Sequence, residues 1–309
     1  MIIKRILKSM IKSITDSKYR YLLLCNLGFF NKMDDKRYLQ KFFECKLGKK
    51  LNLNNPVTFN EKLQWLKLYD RKPNYTTMVD KYAVKKYVAD IIGEEYIIPS
   101  LGVWNHFDEI DFDKLPTQFV LKCTHDSGGI VICNDKSNFD LKAAKRKIER
   151  SLKRNYYWPC REWPYKDVKP RIIAEEYLSI FEVGQELIEY KFFCFNGDPR
   201  LVLICKGNPH GSGRTNDFYD MDFKHLPVEV TYPNARERCL KPKEFNEMRD
   251  IARKLSLGIP HLRVDLYVAN GKIYFGETTF FHDAGFCKFN PPEWDKYLGD
   301  MLELPAVKE

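Results

Sequence analysis

Two Asn-Gly dipeptides, Asn196-Gly197 and Asn270-Gly271, each stand between two apolar runs of strand-forming residues. This pairing restricts the fold more than any other short pattern in the chain. Asn-Gly accepts the two consecutive positive φ values of a type I′ turn, so each dipeptide implies an antiparallel hairpin. The flanking runs are residues 189–195 with 201–205, and 263–268 with 273–279. Further strands are expected at 119–123, 129–133 and 172–177. The first quarter reads differently. Residues 17–75 carry helical patterns, with Thr58 or Asn60 as N-cap of a helix over 61–69. Another helix is expected from Val79 to Ile92, ending at Gly93, with a short strand at 96–99 stopped by Pro99. The chain is therefore expected to be α+β with antiparallel pairs rather than a regular βαβ array.

Lys plus Arg number 51 against 42 Asp plus Glu, a formal charge of +9, which favours acidic partners over cationic ones. Hydrophobic residues make up 44% and Gly and Pro only 16 each, which excludes a disordered or collagen-like chain. Nine cysteines without a CxxC pair imply reduced, buried thiols. The opening MIIKRILKSMIKSI lacks the apolar core and cleavage site of a signal peptide, and no run of about 18 apolar residues follows it, so a cytoplasmic location is expected. Within residues 1–16, Ile2, Ile3, Ile6, Leu7, Met10, Ile11 and Ile14 recur at helical spacing, with Lys4, Arg5, Lys8 and Lys12 between them. This basic amphipathic helix either packs on the body of the protein or lies peripherally on the anionic inner membrane surface. Residues 207–216, rich in Gly, Asn, Pro and Ser, form a candidate lid.

Three places carry chemistry. Lys122 ends an apolar strand and precedes Thr124-His125-Asp126-Ser127-Gly128-Gly129. A lysine aimed into such a loop suits a polyphosphate, since small residues let backbone N–H groups approach the anion; an ordinary hairpin with an exposed lysine is the competing reading. In Arg263-Val264-Asp265 and, across the Asn270-Gly271 turn, Glu277-Thr278-Thr279, the strand period of two puts Arg263 and Asp265 on one face. Hard oxygen ligands of this kind suit Mg²⁺ and not zinc, unless the face is merely solvated and salt-bridged. The strand end Glu175-Glu176-Tyr177-Leu178 offers backbone groups that could read a flat base.

In this order the pieces resemble the ATP-grasp superfamily. More narrowly, Phe59-Asn60-Glu61-Lys62-Leu63-Gln64-Trp65, Asp80-Lys81-Tyr82, the run from Tyr190 through Lys191 to Gly197, Asn216-Asp217-Phe218-Tyr219-Asp220 and Arg263-Val264-Asp265-Leu266-Tyr267 look like the family named for teichuronopeptide biosynthesis, the TupA-like proteins. The resemblance extends over about residues 35 to 305. It implies two α+β subdomains clasping ATP behind a helical N-terminal region, divided as 1–75, 76–178 and 179–309. It further implies that Lys81 and Lys122 contact ATP phosphates under the loop of Asp126, Ser127, Gly128 and Gly129. Glu175, Glu176, Tyr177 and Leu178 would form the adenine hinge, with backbone contacts from Glu176 and Leu178. Glu189 would hold the ribose, and Lys191 stands with the nucleotide ligands. Asp265 and Glu277 would hold Mg²⁺ with Thr279 at a third position where Asn is usual. Arg263, with Lys122, would stabilise the transferring phosphoryl group. His125, Arg214 and His282 have no firm counterpart and are either substrate contacts or packing residues.

The superfamily chemistry is attack of a carboxylate on the γ-phosphate of ATP, then capture of the acyl phosphate by an amine. The resulting expectation is a ligase joining an amino acid or amine to a uronic-acid residue of a surface polysaccharide, such as capsule or O-antigen, or of its precursor. Three alternatives stay open: a glycan kinase using the same nucleotide site, a glycosyltransferase, for which no DxD stands in a sugar-nucleotide context, and a basic membrane- or nucleic-acid-binding module. No nucleic-acid partner is expected, because the basic residues are spread and the aromatics sit in apolar strand runs.

Overall fold

A computed structural model describes residues 12, 14–178, 188–207 and 213–306. Most of the expected terminal helix and the tip of the candidate lid lie outside them. The described chain opens with α1 (Ser17–Asn26), α2 (Asp35–Leu47), α3 (Phe59–Tyr69), α4 (Asn74–Val79) and α5 (Ala83–Ile92). Helix α3 starts with a capping box: Thr58 Oγ1 accepts from the Glu61 N–H, and Glu61 Oε2 accepts from the Thr58 N–H at 3.0 Å. The single helix expected from Val79 to Ile92 is instead two. Asp80 turns extended, and its Oδ1 accepts from the N–H groups of Tyr82 at 2.9 Å and Ala83 at 3.3 Å, which ends α4 and starts α5. The strand expected at 96–99 is also displaced. Residues Glu94–Tyr96 form a 3₁₀ turn, and β1 (Ser100–Trp104) begins only after Pro99, which has no N–H to give a ladder.

Strands β2 (Phe119–Cys123) and β3 (Ile130–Cys133) follow, then α6 (Leu141–Leu152), α7 (Tyr157–Cys160) and β4 (Ile172–Glu176). They build a four-stranded antiparallel sheet in the order β1-β4-β2-β3. Ala144 and Ile148 of α6 pack on Phe119, Leu121 and Ala174 to close its core.

The larger sheet uses β5 (Ile188–Phe195), β6 (Asp198–Lys206), β7 (Thr215–Asp220) and β8 (His225–Leu226), and later β10 (His261–Ala269) and β11 (Lys272–Thr279). Its order is β11-β10-β5-β6-β7-β8. Between these segments lie β9 (Glu229–Val230) and α8 (Phe245–Ser256); β12 (Phe289–Asn290), which pairs with β9, and α9 (Trp294–Met301) complete the chain. Both Asn-Gly hairpins form as expected, with φ of 51° and 85° at Asn196-Gly197 and 53° and 72° at Asn270-Gly271.

The helices α2 to α5 share one core with the large sheet: Phe59 is fully buried and meets His261 and Phe195 edge-on at 5.0 and 5.9 Å, and Val84 and Val88 belong to the same cluster. The motif at 59–65 is mostly a clamp. Asn60 bonds to the Asp295 carboxylate and the Cys287 backbone, Gln64 donates to the Gly285 carbonyl at 2.7 Å, and Lys62 donates to the Gly299 and Leu302 carbonyls. None of the nine cysteines is in a disulfide, and Cys45, Cys160 and Cys239 are only half-buried rather than core. No helix among the described residues is long and apolar enough to cross a membrane.

Candidate active site

Strand β10 lies between β5 and β11, and its register brings distant charges together. Asp265 is the cross-strand partner of Lys191 on β5 and of Glu277 on β11. Arg263, two residues earlier on the same face, grips Asp265 in a fork, with Nε to Oδ1 and Nη2 to Oδ2 both 2.7 Å. Lys191 Nζ adds a contact to Asp265 Oδ2 at 2.8 Å. Burial pushes the Asp265 carboxyl up, but Arg263 and then Lys191 outweigh it and hold it at about 2. The register slips by one residue after Asp265, leaving Gly276 as the extra residue of a bulge. A side chain there would meet the Tyr267 ring at 2.6 Å, so only glycine lets Tyr267 pack across.

Around this centre stand Glu277 and Glu189. Glu277 is partly exposed and lies 3.5 Å from Arg263 and 3.7 Å from Lys81. Glu189 takes three donors, Arg214 at 2.5 Å, Tyr267 Oη at 3.2 Å and Lys191 at 3.3 Å. Arg214 also donates to the Gly207 carbonyl at 2.9 Å, so it pins the two described ends of the 207–214 loop to the site. His282 Nδ1 lies 3.0 Å from Arg263 Nη1. A guanidinium can only donate, so Nδ1 accepts and the ring proton sits on Nε2; burial lowers the His282 pKa to about 4. Thr279 faces Arg263 across the strands. Arg263, Asp265, Lys191, Glu189, Glu277, Thr279, Arg214 and His282 therefore converge, as does Lys81.

The small sheet supplies a second group. Glu175 is buried between Lys122 at 2.5 Å and Lys85 at 2.6 Å. Lys81 lies in the turn made by Asp80, where its N–H donates to the Thr124 carbonyl and its Nζ to the Asp126 carbonyl at 2.6 Å, so it links the glycine loop to Glu277. Ser127 and Gly128 are exposed, whereas Asp126 is turned inward: its carboxylate takes Ser151 Oγ and the Gly129 N–H. His125 is buried too, with Nε2 against the Ser151 and Arg154 carbonyls at the end of α6. At the segment expected to form the hinge, Leu178 packs with Ile98 and Ala269, flanked by Tyr267 and Tyr274, and Tyr177 is half-buried beside it. The Glu176 N–H donates to the Pro99 carbonyl at 3.1 Å.

Two groups escape the sequence reading. Lys85 is four residues from Lys81, a spacing that puts both on one face of the helix expected from Val79 to Ile92 and so could have found it. Glu162 is buried, which raises its carboxyl to about 7 against the pull of Lys67 and Arg263. A lone Glu in an aromatic loop gives no signal in sequence.

A sequence model of the TupA-like ATPgrasp family matches residues 61–303. The chain belongs to the TupA-like ATP-grasp family. Its four-stranded and six-stranded sheets are accordingly the two lobes of an ATP-grasp fold, with Lys122 and Glu175 of the smaller meeting Lys85 from a helix that packs on the larger, and Lys81 reaching Glu277. No curated protein matches this family member in sequence. Among solved structures it is similar to D-alanine–D-alanine ligase of Helicobacter pylori, at 13% identity over 79% of this chain and 69% of that one, with a TM-score of 0.44. It is also similar to the ATP-grasp ligase PsnB with its minimal precursor (12%, 78%, 67%, TM-score 0.41). A third is N5-carboxyaminoimidazole synthase of Aspergillus clavatus (14%, 75%, 53%, TM-score 0.39). All three are distant likenesses.

Proposed function

We propose that the protein is an ATP-dependent carboxylate–amine ligase that joins an amino acid or amine to a uronic-acid carboxylate of a surface polysaccharide or its precursor. The observation that carries this reading is the convergence of Arg263, Asp265, Lys191 and Glu277 with Lys81, beside Lys122 in the adjoining cleft, in a member of the TupA-like ATP-grasp family. Three anionic groups, two phosphates and a carboxylate, have to be held together in such a reaction, and a dense cation array is what that demands.

The donor set fits Mg²⁺. Asp265 and Glu277 offer hard oxygens from paired strands, Thr279 adds a hydroxyl on the same face, and among the described residues Asp265 Oδ1 accepts one hydrogen bond, which leaves it a free lone pair. Bound there, Mg²⁺ would neutralise charge on phosphate oxygens. Lys81 and Lys122 hold the phosphates as point charges, and the apolar wall of Ile98, Leu178 and Ala269 takes the base. Arg263, fixed by Asp265 and His282, presents its two remaining N–H donors toward the oxygen on which charge builds. The substrate carboxylate takes the γ-phosphoryl group, ADP departs, and the amine then attacks the acyl carbon and expels inorganic phosphate. Incubated with ATP, a uronic-acid oligosaccharide and hydroxylamine, the protein is expected to release ADP and form a hydroxamate. ADP with a phosphorylated sugar and no hydroxamate assigns a kinase instead; no ADP across a panel of uronic acids rejects both.

The acceptor is read as membrane-borne. Residues 1–33 hold seven Lys or Arg against one Asp, and within them Leu27 is 64% and Phe29 72% exposed. Apolar side chains beside excess positive charge suit an anionic lipid surface. The protein is expected to sediment with phosphatidylglycerol vesicles and not with phosphatidylcholine ones, and Leu27→Ser with Phe29→Ser to weaken that binding. Equal retention on both vesicle types would remove the membrane from this reading.

A further inference from the structure

The cleft between the two lobes is filled by charge. Lys122 from β2, Lys85 from α5 and Glu175 from β4 meet there beside Ile98 and Phe275-Gly276, around a cavity of only about 10 Å³. Each oxygen of the Glu175 carboxylate takes one lysine, Oε1 with Lys85 Nζ at 2.6 Å and Oε2 with Lys122 Nζ at 2.5 Å. All three side chains are largely buried, Glu175 most of all at 5% exposed.

The two lysines are not equivalent. Lys85 Nζ also donates to the Ile98 carbonyl at 2.5 Å, whereas Glu175 is the only partner of the Lys122 ammonium among the described residues. Lys85 is further anchored by its helix, since Val84 and Val88 sit in the core of the large lobe. A buried carboxylate with a single cation is stranded when that cation leaves, and an unpaired buried charge is strongly disfavoured. Glu175, alone with Lys122, would therefore hold it back from a phosphate and would repel the phosphate as well.

We propose that Lys85 is a positioning residue that holds and neutralises Glu175, so that Lys122 is released to a nucleotide phosphate. The inference rests on the ligase reading only for the identity of that ligand. Lys85 stays on Glu175 and Ile98 while Lys122 exchanges one anion for another, so no charge is left bare in the cleft. The same contact ties the two lobes, because the helix that carries Lys85 packs in the core of one and Glu175 lies in the sheet of the other.

Calorimetric binding of the ATP analogue AMPPNP with Mg²⁺ tests this, with thermal unfolding measured alongside. Lys85→Met is expected to weaken binding about tenfold or more, and Lys85→Arg to stay within about threefold, since the charge is kept. The deciding variant is Lys85→Met combined with Glu175→Gln. Once Glu175 is neutral it no longer retains Lys122, so the double variant is expected to recover most of the lost affinity, a suppression that a merely structural role for Lys85 does not produce. Glu175→Gln alone is expected to bind at least as tightly as the wild type, and it carries the test if Lys85→Met does not fold. Undiminished binding by Lys85→Met, additive losses in the double variant, or weaker binding by Glu175→Gln alone would overturn the proposal while leaving wild-type binding, and so the ligase reading, intact. A wild-type protein that binds no AMPPNP overturns the ligase reading itself, and the proposal with it.

Discussion

Arg263→Met is expected to lower turnover of the proposed ligation by about a hundredfold or more, the scale on which removal of one preorganised charge donor acts. The geometry gives the reason. Arg263 is the one side chain that touches Asp265 through two bonds, His282 through a third and Glu277 at 3.5 Å. Its charge is secure at any working pH, because Asp265 raises its pKa further despite burial. A substituted methionine keeps the length but leaves Asp265, only 1% exposed, with Lys191 as its remaining cation. Loss of a buried partner costs about 3–5 kcal/mol, so this variant also tests whether the sheet tolerates the change. Arg263→Lys separates the two effects. It keeps a charge but cannot form the planar fork, and is expected to unfold close to the wild-type temperature while its kcat falls about tenfold or more. Steady-state ADP release and a thermal melt measure both. A Lys variant with wild-type kcat would show that Arg263 merely braces the sheet.

Much of this site is legible in sequence because strand geometry is local. The Asn270-Gly271 turn fixes the pairing of β10 with β11, and alternation along β10 then puts Arg263 and Asp265 on one face opposite Glu277. The same argument finds the β5–β6 hairpin. What it does not give is the neighbour across a long loop. Lys191 and Asp265 are 74 residues apart in the chain, yet they are register partners because β10 inserts beside β5. No turn chemistry announces that insertion. The break at Asp80 was hidden for a different reason. An aspartate inside a helical pattern costs little by propensity, and only its carboxylate, folded back on the Tyr82 and Ala83 amides, shows that the helix restarts. That restart puts Lys81 in a turn, where it can reach both the glycine loop and Glu277. His125 and Asp126, adjacent to the loop glycines, look like ligands in sequence; in the fold their polar atoms serve α6, and the exposed part of the loop is Ser127-Gly128.

The largest effect on stability is expected from Arg161→Asn. Arg161 is fully buried, the largest side chain among the described residues to be so. Its Nη2 donates to the carbonyl oxygens of Phe30 at 2.8 Å and Asn31 at 3.2 Å, and its Nε lies 3.4 Å from Asp35 Oδ1. The guanidinium also stacks at 4.2 Å on Tyr38, with Trp158 and Tyr157 at 5.0 and 5.2 Å. One side chain thus joins the turn before α2 to the connection that carries α7 and Glu162. Asparagine is the informative replacement. Arg161 has a φ of 56°, a left-handed conformation that asparagine tolerates, so the backbone is spared and only the side chain is lost. The loss strands carbonyl acceptors and opens a void among three rings, together about 3–5 kcal/mol. Asp35 keeps Arg71 at 2.8 Å and Tyr157 Oη at 2.5 Å, which limits the damage to the Arg161 side of the clamp. The melting temperature is expected to fall by about 5–10 °C. A drop of less than about a degree would mean that the N-terminal helices are held by their apolar contacts with the large sheet alone. Because the Cys160 carbonyl accepts from Lys67 at 2.8 Å, loosening this clamp also frees the segment that places Glu162 near Arg263. The Asn variant is therefore expected to lose catalytic rate at temperatures well below its melt, where a purely global destabilisation leaves rate untouched.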